Sequence, residues 1–431
     1  MIRFIYNLLW PIGLLCFLPG YLVKMFRRGG YREKFGQRLA FYGVDVRARL
    51  SERGPIWLHA VSVGEVAIAL KLADALRRLE PDWPVALTTT TTTGFAFARK
   101  NAPPWIEVMY SPLDFWPIMR RAFAVINPAR IVLVEAEVWP NLVAFAHSRR
   151  IPIALVNARL SPRSEKRFRR FRFFVAPFFY LLDLVCVQEP EDANRWNAIG
   201  VRHDRIQVVG SIKYDPEEIV LDPSVADKVL RDLEISPACP VLFGGSTHRG
   251  EEEILGRIFA DVREKFPDLF LIIAPRHAER GSEVGRALEL LGLRVALRSQ
   301  PRAVDDRIDC LILDSTGELR HWYRIATVVF VGKSLTEQSR GGQNPVEPII
   351  AGRPIIFGPH MENFATLARS LISHRGAIQV ESEKELKNAI VDLLRDPALR
   401  EKLVADAGSA LDPHRGATAR TARLIADLQR N

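Results

Sequence analysis

The sequence predicts an α/β protein with two Rossmann-like domains. Short apolar runs alternate along the chain with helical patterns such as Val66–Leu79 and Glu251–Phe266. Apolar runs between helices are typical of parallel strands that are buried under helices on both faces of a sheet. The predicted strands are Ile56–Leu58, Val85–Leu87, Ile131–Val134, Ile153–Val156, Leu184–Val187, Val208, Val241–Phe243, Leu269–Ile273, Cys310–Leu313, Val328–Val331 and Pro354–Phe357. They are too many for one doubly wound sheet, so we expect two sheets joined by a linker near Gly210–Pro216.

The composition indicates a folded chain in a reducing compartment. Of the 431 residues, 48% are hydrophobic and 26% are charged, which excludes disorder and a disulfide scaffold. The four cysteines are scattered and lack the CxxC and His spacing of structural zinc sites. Residues 1–205 carry 30 Lys and Arg against 17 Asp and Glu. This basic half should attract polyanions, and nucleic acid, anionic lipid and phosphorylated substrates are all admissible.

The N-terminus predicts a membrane anchor. Phe4–Val23 is a run of 20 residues without a charge, and Lys24, Arg27 and Arg28 follow it. Twenty apolar residues just span a bilayer core, and the positive cluster belongs on the cytoplasmic side. Internal prolines could instead make the segment an interfacial hairpin, and a buried helix is the other alternative. A span or an embedded segment would hold the body at the inner face of a membrane.

Three regions follow from these patterns. We expect the anchor in residues 1–25, a first Rossmann-like domain in residues 26–212 and a second in residues 213–431. The tail after Val380 is helical, charged and amphipathic. Its last helices could therefore pack back on the first domain.

Two glutamates stand where parallel strands end, and ligands of open α/β sheets bind at that edge. Glu65 follows Gly64 at the start of the helix predicted from Val66, where the helix dipole favours a carboxylate. Glu135 ends the strand Ile131–Val134. Either could serve as a general base, and either could instead be a helix-terminal charge with no catalytic task. We do not expect Glu135 and Glu137 to share a metal ion, because alternate residues need not face one side once a strand has ended.

The second half contains groups suited to a nucleotide. Arg276 follows a strand and can offer a guanidinium to phosphate, and the turn Gly341–Asn344 can offer backbone N–H groups. Glu347 lies at a helix start and could accept hydrogen bonds from ribose hydroxyls. Together these residues indicate a nucleotide pocket in the neutral half of the chain.

The segment Arg163–Tyr180 combines basic and aromatic residues. Its cationic side chains that we expect to face a membrane or a phosphorylated lipid are Arg163, Lys166, Arg167, Arg169 and Arg170. A basic helix with an aromatic face is typical of a membrane-surface element. An ordinary helix with core phenylalanines and solvated arginines is the alternative.

Eight short motifs occur in a fixed order along residues 1–425. They are HAVSVGE, EAEVWPN, NARLSPRS, GSTHRGEEE, PRH, DSTGEL, GGQNPVE and GPHMENF. In this order, behind a short N-terminal anchor, they resemble the bacterial 3-deoxy-D-manno-octulosonic acid (Kdo) transferases of lipopolysaccharide assembly. The resemblance implies a GT-B glycosyltransferase at the cytoplasmic face of the inner membrane. It also implies transfer of Kdo from CMP-Kdo to the lipid A precursor lipid IVA, with inversion at the anomeric carbon and without a metal or other cofactor.

The resemblance assigns roles to individual positions. Glu65 matches the general base of the family, and Glu135 matches a second acidic residue needed for activity. The positions that match those binding CMP are Pro275, Arg276, Thr316, Gly317, Glu318, Asn344, Pro345, Val346 and Glu347. Gln343 departs from the pattern, since relatives often have histidine there, and this leaves the donor contact at that position open.

Two other functions are compatible with the residues. One is a transferase of the same fold that uses another nucleotide sugar, and the other is a non-catalytic protein that binds anionic lipid. Nucleic acid is not an expected partner, because the sequence has neither aromatic-patterned strands nor a recognition helix.

Overall fold

The computed structural model describes residues 1–28, 34–51, 54–216, 223–300 and 307–428. The chain divides into two compact units. Unit 1 contains Met1–Asp215 and His414–Asn431, and unit 2 contains Pro216–Pro413. Arg32, part of the basic stretch after the apolar N-terminus, lies outside the described residues.

Unit 1 is built on a seven-stranded parallel sheet with the order β3-β2-β1-β4-β5-β6-β7. The strands are β1 (Ile56–Ala60), β2 (Val85–Thr89), β3 (Ile106–Tyr110), β4 (Arg130–Val134), β5 (Ile153–Ala158), β6 (Leu184–Val187) and β7 (Ile206–Val208). The helices of this part of the chain are α1 (Ile2–Arg28), α2 (Val44–Ser51), α3 (Val63–Leu79), α4 (Thr92–Asn101), α5 (Trp116–Ile126), α6 (Pro140–Ser148), α7 (Pro162–Arg170), α8 (Arg172–Phe179) and α9 (Pro190–Ile199).

The central strands of unit 1 are buried on both faces. Along β1, Trp57 belongs to one hydrophobic cluster, and its neighbours Ile56 and Leu58 belong to another on the opposite face. Successive side chains of a strand point to opposite faces, so a strand covered by helices on both sides must be apolar throughout. This burial explains why short continuous apolar runs predicted the strands.

Polar residues of α1 face the rest of unit 1. The Arg3 guanidinium and the Asn7 side-chain amide donate to Oδ1 of Asn141, at 3.0 and 2.9 Å. Trp10 stacks on Phe115 with 5.2 Å between ring centroids. The helix is therefore attached to the body by polar and aromatic contacts.

Four apolar residues in the first half of α1 face outward. Phe4, Leu8 and Leu15 are 72%, 61% and 71% exposed, and Ile12 between them is also exposed. Within the ranges described above, no helix combines the length and apolarity needed to cross a bilayer.

Unit 2 is built on a second seven-stranded parallel sheet, with the order β10-β11-β9-β8-β12-β13-β14. The strands are β8 (Val241–Thr247), β9 (Phe270–Pro275), β10 (Val295–Leu297), β11 (Cys310–Ile312), β12 (Val328–Val331), β13 (Ile355–Phe357) and β14 (Ile378–Gln379). Its helices are α10 (Pro223–Asp232), α11 (Glu251–Val262), α12 (Gly281–Glu289), α13 (Leu319–Tyr323), α14 (Val346–Ile350), α15 (Ala365–Ser373), α16 (Glu383–Arg395) and α17 (Pro397–Leu411).

All eleven strands predicted from apolar runs are present, and the described residues contain three further strands that were not predicted. β3 contains Glu107, which breaks the apolar run and pairs with Arg49 at 2.7 Å. β10 and β14 are only three and two residues long. These three strands lie at sheet edges, where one side of the strand needs no neighbour and burial is less complete.

The last helix of the chain, α18 (Ala417–Ala426), belongs to unit 1. Ala422 and Ile425 are fully buried in the same cluster as residues of α3. The Asp215 carboxylate accepts the backbone N–H groups of Gly416 and Thr418, at 2.7 and 2.8 Å. Because these groups lie at the helix start, where no intrahelical acceptor is available, Asp215 fastens α18 to unit 1.

Replacing Asp215 with alanine should loosen α18. Two N–H groups, of which that of Thr418 is buried, would lose a charged acceptor, which should lower the free energy of opening of residues 417–426 by about 2–3 kcal/mol. Native-state hydrogen exchange of these amides measures that energy.

Asp427→Ala is the matched control, because Asp427 is an exposed aspartate at the other end of the same helix. It should change the opening energy by less than about 0.5 kcal/mol. Equal exchange in Asp215→Ala and the wild type would show that apolar packing alone holds α18.

Candidate active site

Glu65 lies at the carboxyl edge of the unit 1 sheet, in the first turn of α3. The helix begins at Val63 and not at Val66 as predicted, because Ser62 caps it and accepts the Glu65 N–H. The Glu65 carboxylate accepts the Val61 N–H at 2.8 Å and the Ser62 hydroxyl at 2.9 Å. This reciprocal pair is a capping box, so Glu65 has a structural task in addition to any catalytic one. Its side chain is held in one orientation, and the residue is 8% exposed.

Glu135 and Glu137 lie beside Glu65. Glu135 follows β4 directly, with a positive φ of 62°, and its N–H donates to Val156 O at 2.9 Å. Desolvation raises the pKa of Glu65, and the Glu135 charge raises it further against the hydrogen bonds from Val61 and Ser62. Three carboxylates thus converge on one edge of the sheet.

Glu137 is the most perturbed carboxylate of this group. Desolvation, followed by the Glu65 charge, raises the pKa of Glu137 to about 7, and a hydrogen bond from the Trp139 indole opposes the shift. We did not single out Glu137 as an acid or base, although its place in the ExExWPN motif was a usable signal. Among the residues described, no group of three or more His, Cys, Asp or Glu side chains is arranged to hold a metal ion.

Lys213 is a second residue that the sequence analysis missed. Desolvation lowers the pKa of its ammonium group, and the Glu135 charge raises it in part. Lys213 follows β7 within the predicted linker, so the carboxyl edge of the sheet places a cation near the acidic group. Its position just after a strand was the signal that could have identified it.

In unit 2, the carboxyl edge of the sheet encloses a cavity of about 240 Å³. The predicted CMP-binding residues that line it are Pro275, Arg276, Thr316, Gly317, Glu318 and Glu347. They come from three loops, which follow β9, β11 and β12. The remaining three predicted residues, Asn344, Pro345 and Val346, lie next to Glu347 at the start of α14.

The Asn344 side chain orders that helix start. Its Oδ1 accepts the Val346 N–H at 3.0 Å, and its amide donates to Glu347 Oε1 at 3.4 Å. Asn344 therefore holds the Glu347 carboxylate at the cavity. The Glu347 carboxylate can accept hydrogen bonds from a ligand hydroxyl. Arg276 is exposed and can pair with an anion.

Two N–H groups of the glycine turn, which the sequence predicted to be available to phosphate, are bonded within the protein. Gly342 N–H donates to Lys333 O at 2.8 Å, and Gln343 N–H donates to Gly332 O at 3.1 Å. The positive φ values of Gly341 and Gly342, 123° and 70°, allow the chain to fold back into these bonds. The turn therefore fixes the loop after β12, and these two N–H groups are not free for phosphate.

The basic aromatic segment is not one helix with one aromatic face. It breaks at Phe171 into α7 and α8. Phe168 packs on Phe179 in the core with 5.3 Å between ring centroids, whereas Phe173 and Phe174 are exposed. The five cationic residues singled out in α7, Arg163, Lys166, Arg167, Arg169 and Arg170, are all exposed. Exposed cations beside exposed aromatic rings remain on the surface after the break.

Known proteins resemble this chain along its whole length. Residues 33–216 match the family model described as 3-deoxy-D-manno-octulosonic-acid transferase (kdotransferase). The 3-deoxy-D-manno-octulosonic acid transferase of Haemophilus influenzae is 31% identical, with both chains covered completely. The enzyme of the same name from Bordetella pertussis is 34% identical over 93% of each chain.

Solved structures share the fold at low sequence identity. The UDP-GlcNAc 2-epimerase of Neisseria meningitidis bound to UDP-GlcNAc has a TM-score of 0.57 and 12% identity, over 86% of this chain and 98% of that one. The S. aureus MnaA–UDP structure has a TM-score of 0.53 and 14% identity, over 86% and 96%. This likeness shows a GT-B-like fold with two parallel α/β sheets. The sequence matches to the Haemophilus influenzae and Bordetella pertussis enzymes establish that the chain is a glycosyltransferase and belongs to the 3-deoxy-D-manno-octulosonic acid transferase family.

Proposed function

We propose that this chain transfers Kdo from CMP-Kdo to lipid IVA at the cytoplasmic face of the bacterial inner membrane, with inversion at the anomeric carbon. The observation that carries the proposal is the cavity of unit 2. It gathers three separate motifs, PRH, DSTGEL and GGQNPVE, around one space. The relatives' names support the sugar that is transferred, and the matched motifs support CMP as its carrier.

The chemistry needs a base for the acceptor and a stabilised leaving group. In the proposed reaction Glu65 takes the proton of the acceptor hydroxyl while its oxygen attacks the anomeric carbon of Kdo from the side opposite the phosphate. The bond between that carbon and the phosphate oxygen breaks, and CMP leaves with the electron pair. Attack opposite the leaving group inverts the anomeric centre. Arg276 stabilises the charge that develops on the phosphate, so the proposal assigns no step to a metal ion.

The fixed orientation of Glu65 supports its role as the base. Its two carboxylate oxygens accept two local hydrogen bonds and keep further lone pairs for an acceptor hydroxyl. Desolvation raises the pKa of Glu65, which makes its ionised form a stronger base. We propose Glu135 as a second acidic residue needed for the reaction.

The outward face of α1 supports membrane attachment. A helix that turns Arg3 and Asn7 toward the protein and Phe4 and Leu8 outward has the polarity expected beside lipid tails. We propose that α1 anchors unit 1 and that the exposed cations of α7 bind the phosphates of the acceptor lipid or the membrane surface.

The exchange Glu65→Gln should abolish turnover. The amide keeps the size of the side chain but cannot take a proton, so transfer from CMP-Kdo to lipid IVA should fall at least about a thousandfold. Mass spectrometry of the lipid product measures it. Glu80→Gln, at the far end of α3, is the control and should retain full activity. Product formation by Glu65→Gln at the wild-type rate would transfer the role to another group.

The pH profile should separate Glu65 from Glu137. The base must be ionised, so we expect kcat/KM to fall with decreasing pH through a pKa above the ordinary 4.5 of glutamate. Glu137, whose pKa is raised to about 7, has no part in the proposed proton transfer. Glu137→Gln should therefore leave this acidic limb in place. If Glu137→Gln abolished the fall of kcat/KM at acidic pH, or removed a fall centred near pH 7, Glu137 would be identified as the base.

Charge reversal on α7 should weaken acceptor binding. In Arg167→Glu combined with Arg170→Glu, repulsion of lipid phosphates should raise the KM for lipid IVA about tenfold or more, with the KM for CMP-Kdo unchanged. Arg47→Glu with Arg423→Glu reverses two exposed arginines elsewhere in unit 1 and serves as the control. An unchanged KM for lipid IVA in the α7 variant would remove α7 from acceptor binding.

A further inference from the structure

Three loops at the carboxyl edge of the unit 2 sheet are tied together through their backbones. Arg276 N–H, after β9, donates to Thr247 O at the end of β8, at 3.0 Å. In the loop after β12, the carbonyl oxygens of Lys333 and Gly332 accept the N–H groups of Gly342 and Gln343. His248, Arg276, Lys333 and Gln343 are therefore neighbours, although they are up to 95 positions apart in the sequence.

The Glu251 carboxylate makes this arrangement rigid. Its Oε2 accepts the N–H groups of both His248 and Lys333, at 2.9 and 2.7 Å. Its Oε1 accepts those of Ser334 and Leu335, at 2.9 and 3.1 Å. Glu251 is fully buried, and these four bonds occupy its acceptor positions. The backbones of His248 and Lys333 thus meet at a single oxygen atom.

The side chains around this point are donors and cations. Gln343 Nε2 lies 3.4 Å from His248 Nε2, and the His248 and His277 rings are 6.0 Å apart. Desolvation lowers the pKa of His248 to about 4, and the charges of Lys333, His277, Arg280 and Arg276 add to this effect. A neutral imidazole still donates one hydrogen bond, so the positive charge resides on the lysine and the arginines.

The nearby carboxylates do not neutralise this charge. Glu251 is used by four backbone N–H groups, and Glu252 is paired with Arg280 at 2.9 Å. Among the described residues, none forms an ion pair with Lys333 or Arg276. Arg276 in the cavity and Lys333 beside His248 and Gln343 are therefore available to anions from outside, and Arg320 also lines the cavity.

The proposed donor carries two anions on one carbon. In a CMP-linked octulosonic acid, the anomeric carbon bears both the carboxylate and the phosphate ester. We infer that His248, Lys333 and Gln343 bind the carboxylate of the donor sugar, while Arg276 binds the phosphate. This assignment rests on the proposed function. It would give the enzyme selectivity for an acidic sugar, because a nucleotide sugar without a carboxylate leaves Lys333 without its ion pair.

Lys333→Met tests the assignment, with CMP and CMP-Kdo as probes. CMP has the phosphate and lacks the sugar carboxylate. We expect kcat/KM for CMP-Kdo to fall at least tenfold, whereas the Ki of CMP as a product inhibitor changes less than twofold. Lys333→Arg should recover most of the loss, and thermal unfolding should match the wild type. Arg249→Met, an exposed cation from the adjacent loop, is the control for loss of one positive charge and should change neither constant.

The outcomes separate this inference from the proposed function. A Ki for CMP that rises as much as kcat/KM falls would make Lys333 a ligand of the nucleotide phosphate and overturn the inference. Unchanged constants in Lys333→Met would also overturn it, and in both cases Kdo transfer by the wild type would leave the proposed function intact. A wild type that neither transfers Kdo nor responds to CMP would overturn both.

Discussion

Buried carboxylates that accept backbone N–H groups hold the carboxyl edges of both sheets. A loop that leaves a parallel strand and enters a helix has N–H groups without intrahelical acceptors. Asp114 accepts two such groups at the start of α6, from Asn141 and Leu142. Glu251 accepts four in unit 2, and Glu65 accepts one beside α3. The positions of the functional side chains depend on these bonds, because each bond fixes the loop that carries them.

The two edges differ in charge, and the difference agrees with the proposed division of tasks between the base and the binding of the donor. Unit 1 gathers Glu65, Glu135 and Glu137, where burial raises the pKa of Glu65 and Glu137, and the charge of Glu135 raises both further. Such a group can take up a proton. Unit 2 gathers cations and hydrogen-bond donors, because its buried carboxylates are consumed by backbone N–H groups and by Arg280. Such an edge can hold an anionic donor. A carboxylate near a strand end is therefore a candidate base in unit 1 (Glu65), whereas in unit 2 (Glu251) it holds the loops in place.

Sequence reasoning was most successful where the cause is local. Pro140 stands in the first turn of α6, a position that its fixed φ and missing N–H suit whatever the rest of the fold. It was least successful where packing against the rest of the fold overrides the local pattern of a segment. The run Arg163–Tyr180 has the composition of one amphipathic helix, but Phe168 and Phe179 pack together in the core. That contact requires the break at Phe171.

The sequence by itself determined the two parallel sheets, most of their strands, and the order of the motifs at the strand ends. Continuous apolar runs and capping residues are local features of the sequence. A strand that is apolar throughout must be buried on both faces, and few arrangements other than a parallel sheet covered by helices achieve this. Only the tertiary structure decided which polar residues meet. The pKa of Glu137 and the junction of His248 and Lys333 on Glu251 depend on desolvation and on hydrogen bonds from distant segments. No local pattern encodes these effects, because they arise only when the strands lie side by side.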